Sequence, residues 1–512
     1  MDGDSAMKRI AFATLALLLS TTICFGADRP NVLLIVSEDN GPELGCYGDT
    51  FARTPHLDRL ATEGVRFENA FVPYSVCSPS RAVFLTGLYP HQNGQIGLAT
   101  HKFSMYREDT ANIASLLQSM GYRIGLIGKL HVNPESAFPF DFRAIKGANF
   151  NRKYSVVDYA DAAAQFFTAA GDKPFFLSVN FPDAHLPFLR QANGRPKKPL
   201  AADDVTPMSW IGVNSPRFRE QVANYYNCLA RLDDGVGLLL AELEKAHLAE
   251  NTIVIYFGDH GAQFPRGKGT VYEGGLRVPL IIRWPGQAKP KTVRQELVST
   301  IDILPTILAA VGHQELPSLP GRSLQPLLAD AKSPSWRRYI FGFTTGSFPR
   351  ACFVQHSIRD RRFKLISSPR PGTENLDAGT YLDESHQHFV VSGATADEQA
   401  AAPEFVRAAF ARWSNPPRYE LYDLEADSGE WTDLADFPAY AAEKTRLIDA
   451  LQQWQADTHD PFSVQEHVDA YVEEQLANRD LGYRQRQHFR WSYLERFSTW
   501  RATKTALPQR KE

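Results

Sequence analysis

Cysteine is scarce in this chain: five among 512 residues, Cys24, Cys46, Cys77, Cys228 and Cys352. They are scattered and show no metal-binding or redox spacing. That excludes a disulfide scaffold, a structural zinc module and a dithiol redox pair, and leaves room for at most an isolated bridge. Charge of one sign is lacking too, since 55 Lys and Arg stand against 58 Asp and Glu for a net of −3. No global basic field exists to hold nucleic acid. Internal repeats and low-complexity tracts are absent. So is any apolar run long enough to cross a bilayer, because Ile10 to Leu19 is too short to span one comfortably. Lying behind Lys8-Arg9 and ahead of Cys24-Phe25-Gly26-Ala27, that run reads as a secretory signal over residues 1–27, with a membrane anchor as the alternative. Removing it leaves the balance at −3. An exported protein without a stable membrane span follows, periplasmic or extracellular, or lysosomal in a eukaryote.

What is present is ordinary globular composition, 43% hydrophobic and 22% charged, enough for a large domain and a smaller one. Continuous apolar runs at 31–36, 123–127, 175–180, 253–257 and 279–284 alternate with helical patterns at 56–64, 113–120, 157–170 and 218–248. Apolar strands separated by helices predict an α/β fold, a large mostly parallel sheet sandwiched by helices. Ligands bind such sheets at the carboxyl ends of the strands. Past residue 350 the texture changes. Strand patterns at 362–366 and 420–424 and a helix at 441–454 predict a smaller C-terminal α+β domain, residues 351–512 against 28–350. Residues 370–415 predict a mixed stretch with a long surface loop.

Several polar residues follow predicted strands immediately. Glu38-Asp39 follows the first and Asp259-His260-Gly261 the fourth. Each pair alone is commonly a turn or a cap, but the fold rule puts both on one rim, where carboxylates can hold a hard cation. Lys129 and His131 follow the second strand, their spacing placing both side chains on one side of an extended segment. His185 follows the third strand, and Lys268 lies in the loop after Asp259. Cys77 and Arg81, four apart, share a helix face. Pro79 suits a helix start, whose positive end favours an anion.

The run Cys77-Ser78-Pro79-Ser80-Arg81-Ala82-Val83-Phe84-Leu85-Thr86-Gly87, with His91-Gln92-Asn93-Gly94, resembles the formylglycine-dependent (type I) sulfatases of the alkaline phosphatase superfamily. Gly128-Lys129-Leu130-His131, Asp259-His260-Gly261 and Lys268 with Tyr272-Glu273-Gly274-Gly275 fall in the family's order, and the resemblance spans roughly residues 30–465. Within the family, Gly128 to Glu135, Phe138 to Phe142 and Thr458-His459-Asp460-Pro461-Phe462 are most similar to the heparan N-sulfatase branch. Glu38 stands where the family usually has Asp, Lys268 where that branch has Arg, and 271–279 looks more like the O-sulfatases.

The resemblance implies an alkaline phosphatase-like fold and a sulfuric ester or sulfamate hydrolase acting on a sulfated saccharide, N-sulfoglucosamine included. It implies that a maturation enzyme oxidises Cys77 to formylglycine (3-oxoalanine), whose hydrate attacks sulfur; its second hydroxyl allows release. Ca²⁺ would be held by Glu38, Asp39, Asp259, His260 and residue 77. Arg81, Lys129 and Lys268 would neutralise the sulfate, His131 would support the hydrate, and His185 would be the general acid. Open alternatives are an O-sulfatase on another polysaccharide, a phosphate or phosphonate monoester hydrolase, and a non-catalytic sulfoglycan-binding protein. A homo-oligomer is compatible with all of them. The basic, aromatic tail 479–512 reads as a helix packing its aromatics on the body, with a polyanion-binding arm as the alternative.

Overall fold

The computed structural model of the protein describes residues 29–505, apart from 315, 317, 330–334 and 386–390. The expected signal segment, Cys24 within it and residues 506–512 lie outside the described residues. No helix among the described residues is long and apolar enough to cross a membrane.

Eight strands make the main sheet: β1 (Asn31–Ser37), β2 (Val65–Phe71), β3 (Arg123–Gly128), β4 (Phe142–Ala144), β5 (Phe175–Phe181), β6 (Thr252–Gly258), β7 (Leu280–Arg283) and β8 (Thr292–Ser299). Their order is β4-β3-β5-β1-β6-β7-β2-β8, and only β7 runs antiparallel to its neighbours. The central strands β5, β1 and β6 are buried without a break and mostly apolar because both faces are covered. Leu33 and Ile35 of β1 join a core with the helices Val156–Ala170 and Pro216–Lys245. Val32, Leu34 and Val36 join another with the helices Ile113–Ser119 and Ile303–Ala310. Alternation along one strand thus feeds two cores.

Register decides where the site lies. Ser37 at the end of β1 is level with Phe181 of β5 and Gly258 of β6, and Gly128 ending β3 is level with Asn180. The residues that follow β3, β5, β1 and β6 therefore emerge side by side on one rim.

A second, antiparallel sheet of order β12-β11-β10-β9 follows, from β9 (Ile340–Thr344), β10 (Gln355–Arg359), β11 (Phe363–Ser367) and β12 (Tyr419–Asp423). The stretch 370–415 differs from expectation. It carries the helices Leu376–Leu382, Ala396–Ala401 and Glu404–Ser414, and Val406, Phe410 and Trp413 of the last are buried. Short helices with only one or two apolar faces leave little periodicity to read. The tail packs as its helical reading predicts. Trp491, Tyr493 and Phe497 are buried with Phe103, Phe462 and Tyr471. Not all its basic groups face water, because Arg486 and Arg501 donate to the carbonyls of Asn478, Thr458 and His459.

Candidate active site

The Cys77–Thr86 helix runs beneath the rim, and all ten of its residues are buried. Val76 is extended ahead of it, so Cys77 begins the first turn. The turn's backbone N–H groups give that end a partial positive charge. Cys77 Sγ lies 3.3 Å from His260 Nε2.

Around the thiol, three buried carboxylates meet three buried cations. Arg81 donates to Glu38 Oε1 and Asp259 Oδ2, both at 3.0 Å, and also to Asn180 Oδ1 at 2.7 Å and the Lys129 carbonyl at 3.1 Å. Lys129 Nζ lies 2.7 Å from Glu38 Oε2. Lys268 Nζ donates to both oxygens of Asp39, at 2.8 and 3.0 Å. The Asp39 N–H donates to Asp259 Oδ1 at 2.9 Å, tying the ends of β1 and β6 together. Charges this deep persist only when matched, and here every carboxylate has a cation at contact distance.

Titration follows from the same competition. Burial pushes Glu38 up, with Lys129 and Arg81 opposing. Burial would raise Asp259 too, but His260, Arg81 and Lys129 outweigh it and hold it down at about 2. Burial disfavours a charged His260, yet Asp259 and Asp39 outweigh it and lift it to about 9. Burial likewise opposes a charged Lys268, and Asp39 overcomes it and holds the ammonium above its ordinary range. His131 and His185 go the other way: burial, then the neighbouring lysines, keep both far below the ordinary imidazole value and neutral.

His185 Nδ1 sits 2.6 Å from the Leu186 carbonyl. A neutral ring there must carry its proton on Nδ1, which leaves Nε2 as an acceptor. The ring stacks on Phe150 with centroids 3.8 Å apart, and Lys129 Nζ lies 4.9 Å from the same Phe150 ring. His131 has a left-handed backbone, φ 58°, so Lys129–His131 is not the extended segment that the spacing suggests. Both residues nonetheless line one cavity of about 370 Å³ together with Cys77, Phe150, His185 and Lys268. Among the described residues, neither His131 ring nitrogen has a hydrogen-bond partner.

All ten sequence-derived candidates thus converge. Ligand atoms of Glu38, Asp39, Cys77 and His185 lie within 4.8 Å of one another, as do those of Cys77, Asp259 and His260. Three of these six residues are carboxylates, whose oxygens fit a hard divalent cation. Three residues escaped the sequence reading. Asn180 was visible as a polar residue ending an apolar strand. Phe150 carries no signal in its loop. Asp183 is clamped by Arg152 and Arg231 at 2.9 and 2.5 Å, and Arg152 also donates to the His185 carbonyl at 3.0 Å, fixing that turn.

The sulfatase family model matches residues 30–313, more than half of the chain. This chain belongs to the sulfatase family. A second model, for the C-terminal part of N-sulphoglucosamine sulphohydrolase, matches residues 258–373 of the sulfatase. Human N-sulphoglucosamine sulphohydrolase is 32% identical over 507 residues, covering 91% of this chain and 97% of that protein. An ulvan-active sulfatase of Formosa agariphila is 29% identical over 437 residues, covering 84% of this chain and 80% of that one. Among solved structures, a protein in complex with its substrate D-glucosamine-2-N,6-O-disulfate matches with TM-score 0.62 at 20% identity, covering 84% of this chain and 98% of that one. The phosphonate monoester hydrolase of Silicibacter pomeroyi matches with TM-score 0.61 at 21% identity, covering 84% and 96%. These two similarities establish the shared fold. The sulfatase is therefore a sulfuric ester or sulfamate hydrolase.

Proposed function

We propose that this sulfatase removes sulfate from a sulfated saccharide, with N-sulfoglucosamine as the leading substrate. The observation that carries this reading is the placement of Cys77: at a helix start, on the floor of a cavity, with three carboxylates around it and two lysines and two neutral histidines in the wall above. The substrate rests on the 32% identity to the human N-sulphoglucosamine sulphohydrolase over nearly its whole length.

Matured to formylglycine and hydrated, residue 77 would supply a hydroxyl nucleophile, and Ca²⁺ at Glu38, Asp39, Asp259 and His260 would supply Lewis acidity. The chain's own residues do the rest. Lys129 and Lys268 present fixed positive charge where the sulfate oxygens arrive, so no reorganisation is needed as charge develops. Arg81 lies deeper, bridging Glu38 and Asp259, and holds the two carboxylate clusters in register. His185 offers Nε2 to the leaving nitrogen or oxygen. Burial and then the lysine charges depress His185; a bound sulfate offsets the lysine part and raises its proton affinity, so that Nε2 can take up a proton and give it to the leaving atom. Phe150 packs against His185 and shields that face from water. The cavity volume suits a small saccharide.

The test has two parts. Mass spectrometry of the peptide containing residue 77, from protein co-expressed with a formylglycine-generating enzyme, should show the thiol converted to the aldehyde. Sulfate release should then be measured on N-sulfoglucosamine, O-sulfated glucosamines and an aryl phosphonate. Release from N-sulfoglucosamine, abolished in a folded Cys77→Ala variant, is the expected result. Turnover that survives in Cys77→Ala refutes the mechanism, and preference for an O-sulfate or the phosphonate refutes the substrate.

A further inference from the structure

We propose that the protein carries a second anion site, apart from the catalytic cavity, that binds the body of a sulfated saccharide chain; the ligand class rests on the reading above. A cavity of about 540 Å³ opens between the edge strand β8 and the β10–β11 turn. Its walls carry Arg337, Arg338, Arg361, Arg362 and Arg446 together with Trp336.

Glu296, Asp360 and Glu443 line the cavity as well, so what matters is which arginines are already paired. Asp360 and Glu443 both serve Arg446, each at 2.6 Å. Arg337 pairs with the buried Asp302 at 2.5 Å, and Arg362 pairs with Asp423 at 2.7 Å. Among the described residues, neither Arg338 nor Arg361 has a carboxylate partner. Arg338 rests over Tyr339 at 5.3 Å, and Arg361 reaches only the Gln295 carbonyl at 3.5 Å. Both are exposed. The paired arginines fix the shape of the wall, and the two unpaired ones are left to meet an anion. A planar guanidinium fork matches sulfate oxygens two at a time.

Trp336 adds the second half of the recognition. Its Nε1 donates to the Leu297 carbonyl at 2.8 Å, which fixes the indole while leaving it partly exposed. An aromatic plane beside cations suits a ligand that alternates apolar ring faces with anionic groups. A sulfated saccharide has both, and inorganic sulfate has only one.

Position links this cavity to catalysis. Ser347, in the loop joining β9 to β10, lines the catalytic cavity. Asp360 to Arg362 lie at the other end of β10. The two cavities thus sit at opposite ends of one strand, roughly 17 Å apart at the usual rise of a five-residue strand. A chain whose terminal sugar fills the catalytic cavity and whose body lies along β10 would meet the arginines, and that second contact would raise its local concentration without touching the chemistry.

The test compares wild type, Arg338→Ala/Arg361→Ala and the charge-preserving Arg338→Lys/Arg361→Lys on N-sulfoglucosamine and on a defined N-sulfated oligosaccharide. In the alanine variant kcat/KM for the oligosaccharide should fall about tenfold at low salt, through KM, and converge on wild type at high salt. The lysine variant should recover part of it, and monosaccharide turnover should stay unchanged. Equal oligosaccharide kinetics in wild type and alanine variant overturn the proposal, as does an equal loss on the monosaccharide. Direct titration of the same oligosaccharide, on wild type and on the alanine variant, separates the arginine site from the substrate assignment. If wild type releases no sulfate but binds the chain and the variant does not, the arginine site stands while the catalytic assignment fails. Equal affinity in both sinks the site.

Discussion

Lys129 does two things at once: it neutralises Glu38 at 2.7 Å, and it lines the cavity beside Phe150. Removing it takes away a preorganised charge and leaves Glu38 with Arg81 alone. Lys129→Ala should lower kcat for sulfate release by about 10²-fold or more; a change under about threefold would remove Lys129 from the reaction. His91 acts on stability instead. It is fully buried, stacked on Tyr89 and edge-on to Phe343 and Trp454, and among the described residues neither ring nitrogen has a hydrogen-bond partner. Burial outweighs the pull of Asp460 and depresses it to about 3. The unfolded chain takes up this proton near 6.5 and the folded chain only near 3, so between those values the unfolded state holds more protons. Stability therefore falls as pH drops from 6.5, by about 1.4 kcal/mol per pH unit for this group. His91→Phe keeps the aromatic packing and removes the proton. Its urea-unfolding free energy should fall by about 2 kcal/mol less than wild type between about pH 6.5 and about pH 5. His131 and His185 act in the same direction, so the slope should shrink rather than vanish. Equal slopes in the two proteins would show that His91 is protonated in the fold.

The β3–β5 pair carries the site more than any side chain in it. Gly128 ends β3 with φ 90°, and a Cβ there would sit 2.4 Å from the Asn180 carbonyl oxygen. The next residue is Lys129, and Asn180 itself accepts from Arg81. Gly128→Ala combines a left-handed backbone with a clash against a rigid strand, a cost of about 3 kcal/mol. We expect a lowered Tm together with a kcat loss of at least about tenfold, because the strand ends that carry Lys129 and hold Asn180 against Arg81 must part. A lowered Tm with unchanged kcat would show that the rim absorbs the shift. The same strands explain what could be read beforehand. β1, β3, β5 and β6 were legible because burial on both faces makes them continuously apolar, and their ends then located Glu38, Asp39, Lys129, Asp259 and His260. β2, Val-Arg-Phe-Glu-Asn-Ala-Phe, and the polar first half of the edge strand β8 were not, since each exposes part of itself. The three-residue β4 is too short to show a period. Phe150 was invisible because a loop residue's neighbours come from tertiary structure alone.

Across the whole molecule, one wall of the catalytic cavity is held by residues nearly 400 positions away. Leu98 and Thr100 line that wall, and the Leu98 N–H donates to the Ser347 carbonyl at 3.0 Å. From the C-terminal region, Trp491 donates to the His101 carbonyl at 2.9 Å, and its ring stacks on Phe103 at 4.9 Å. Tyr493 donates to the Gly94 carbonyl at 2.9 Å and accepts from the Ser104 N–H at 3.2 Å. Segment 94–104 is therefore pinned from behind by the tail. Tyr493→Phe loses the hydroxyl contacts and should cost about 1 kcal/mol, whereas Tyr493→Ala also opens a void among Phe103, Tyr106, Tyr471 and Phe497 and should cost about 3–5 kcal/mol. If the pinning shapes the cavity, the alanine variant will also show a raised KM at nearly unchanged kcat, because the wall bearing Leu98 and Thr100 relaxes while Cys77, Lys129 and Lys268 stay in place. Thermal unfolding and steady-state kinetics on the same preparation separate the two effects. A lowered Tm with wild-type KM would make the tail a stabilising element alone and uncouple it from the site.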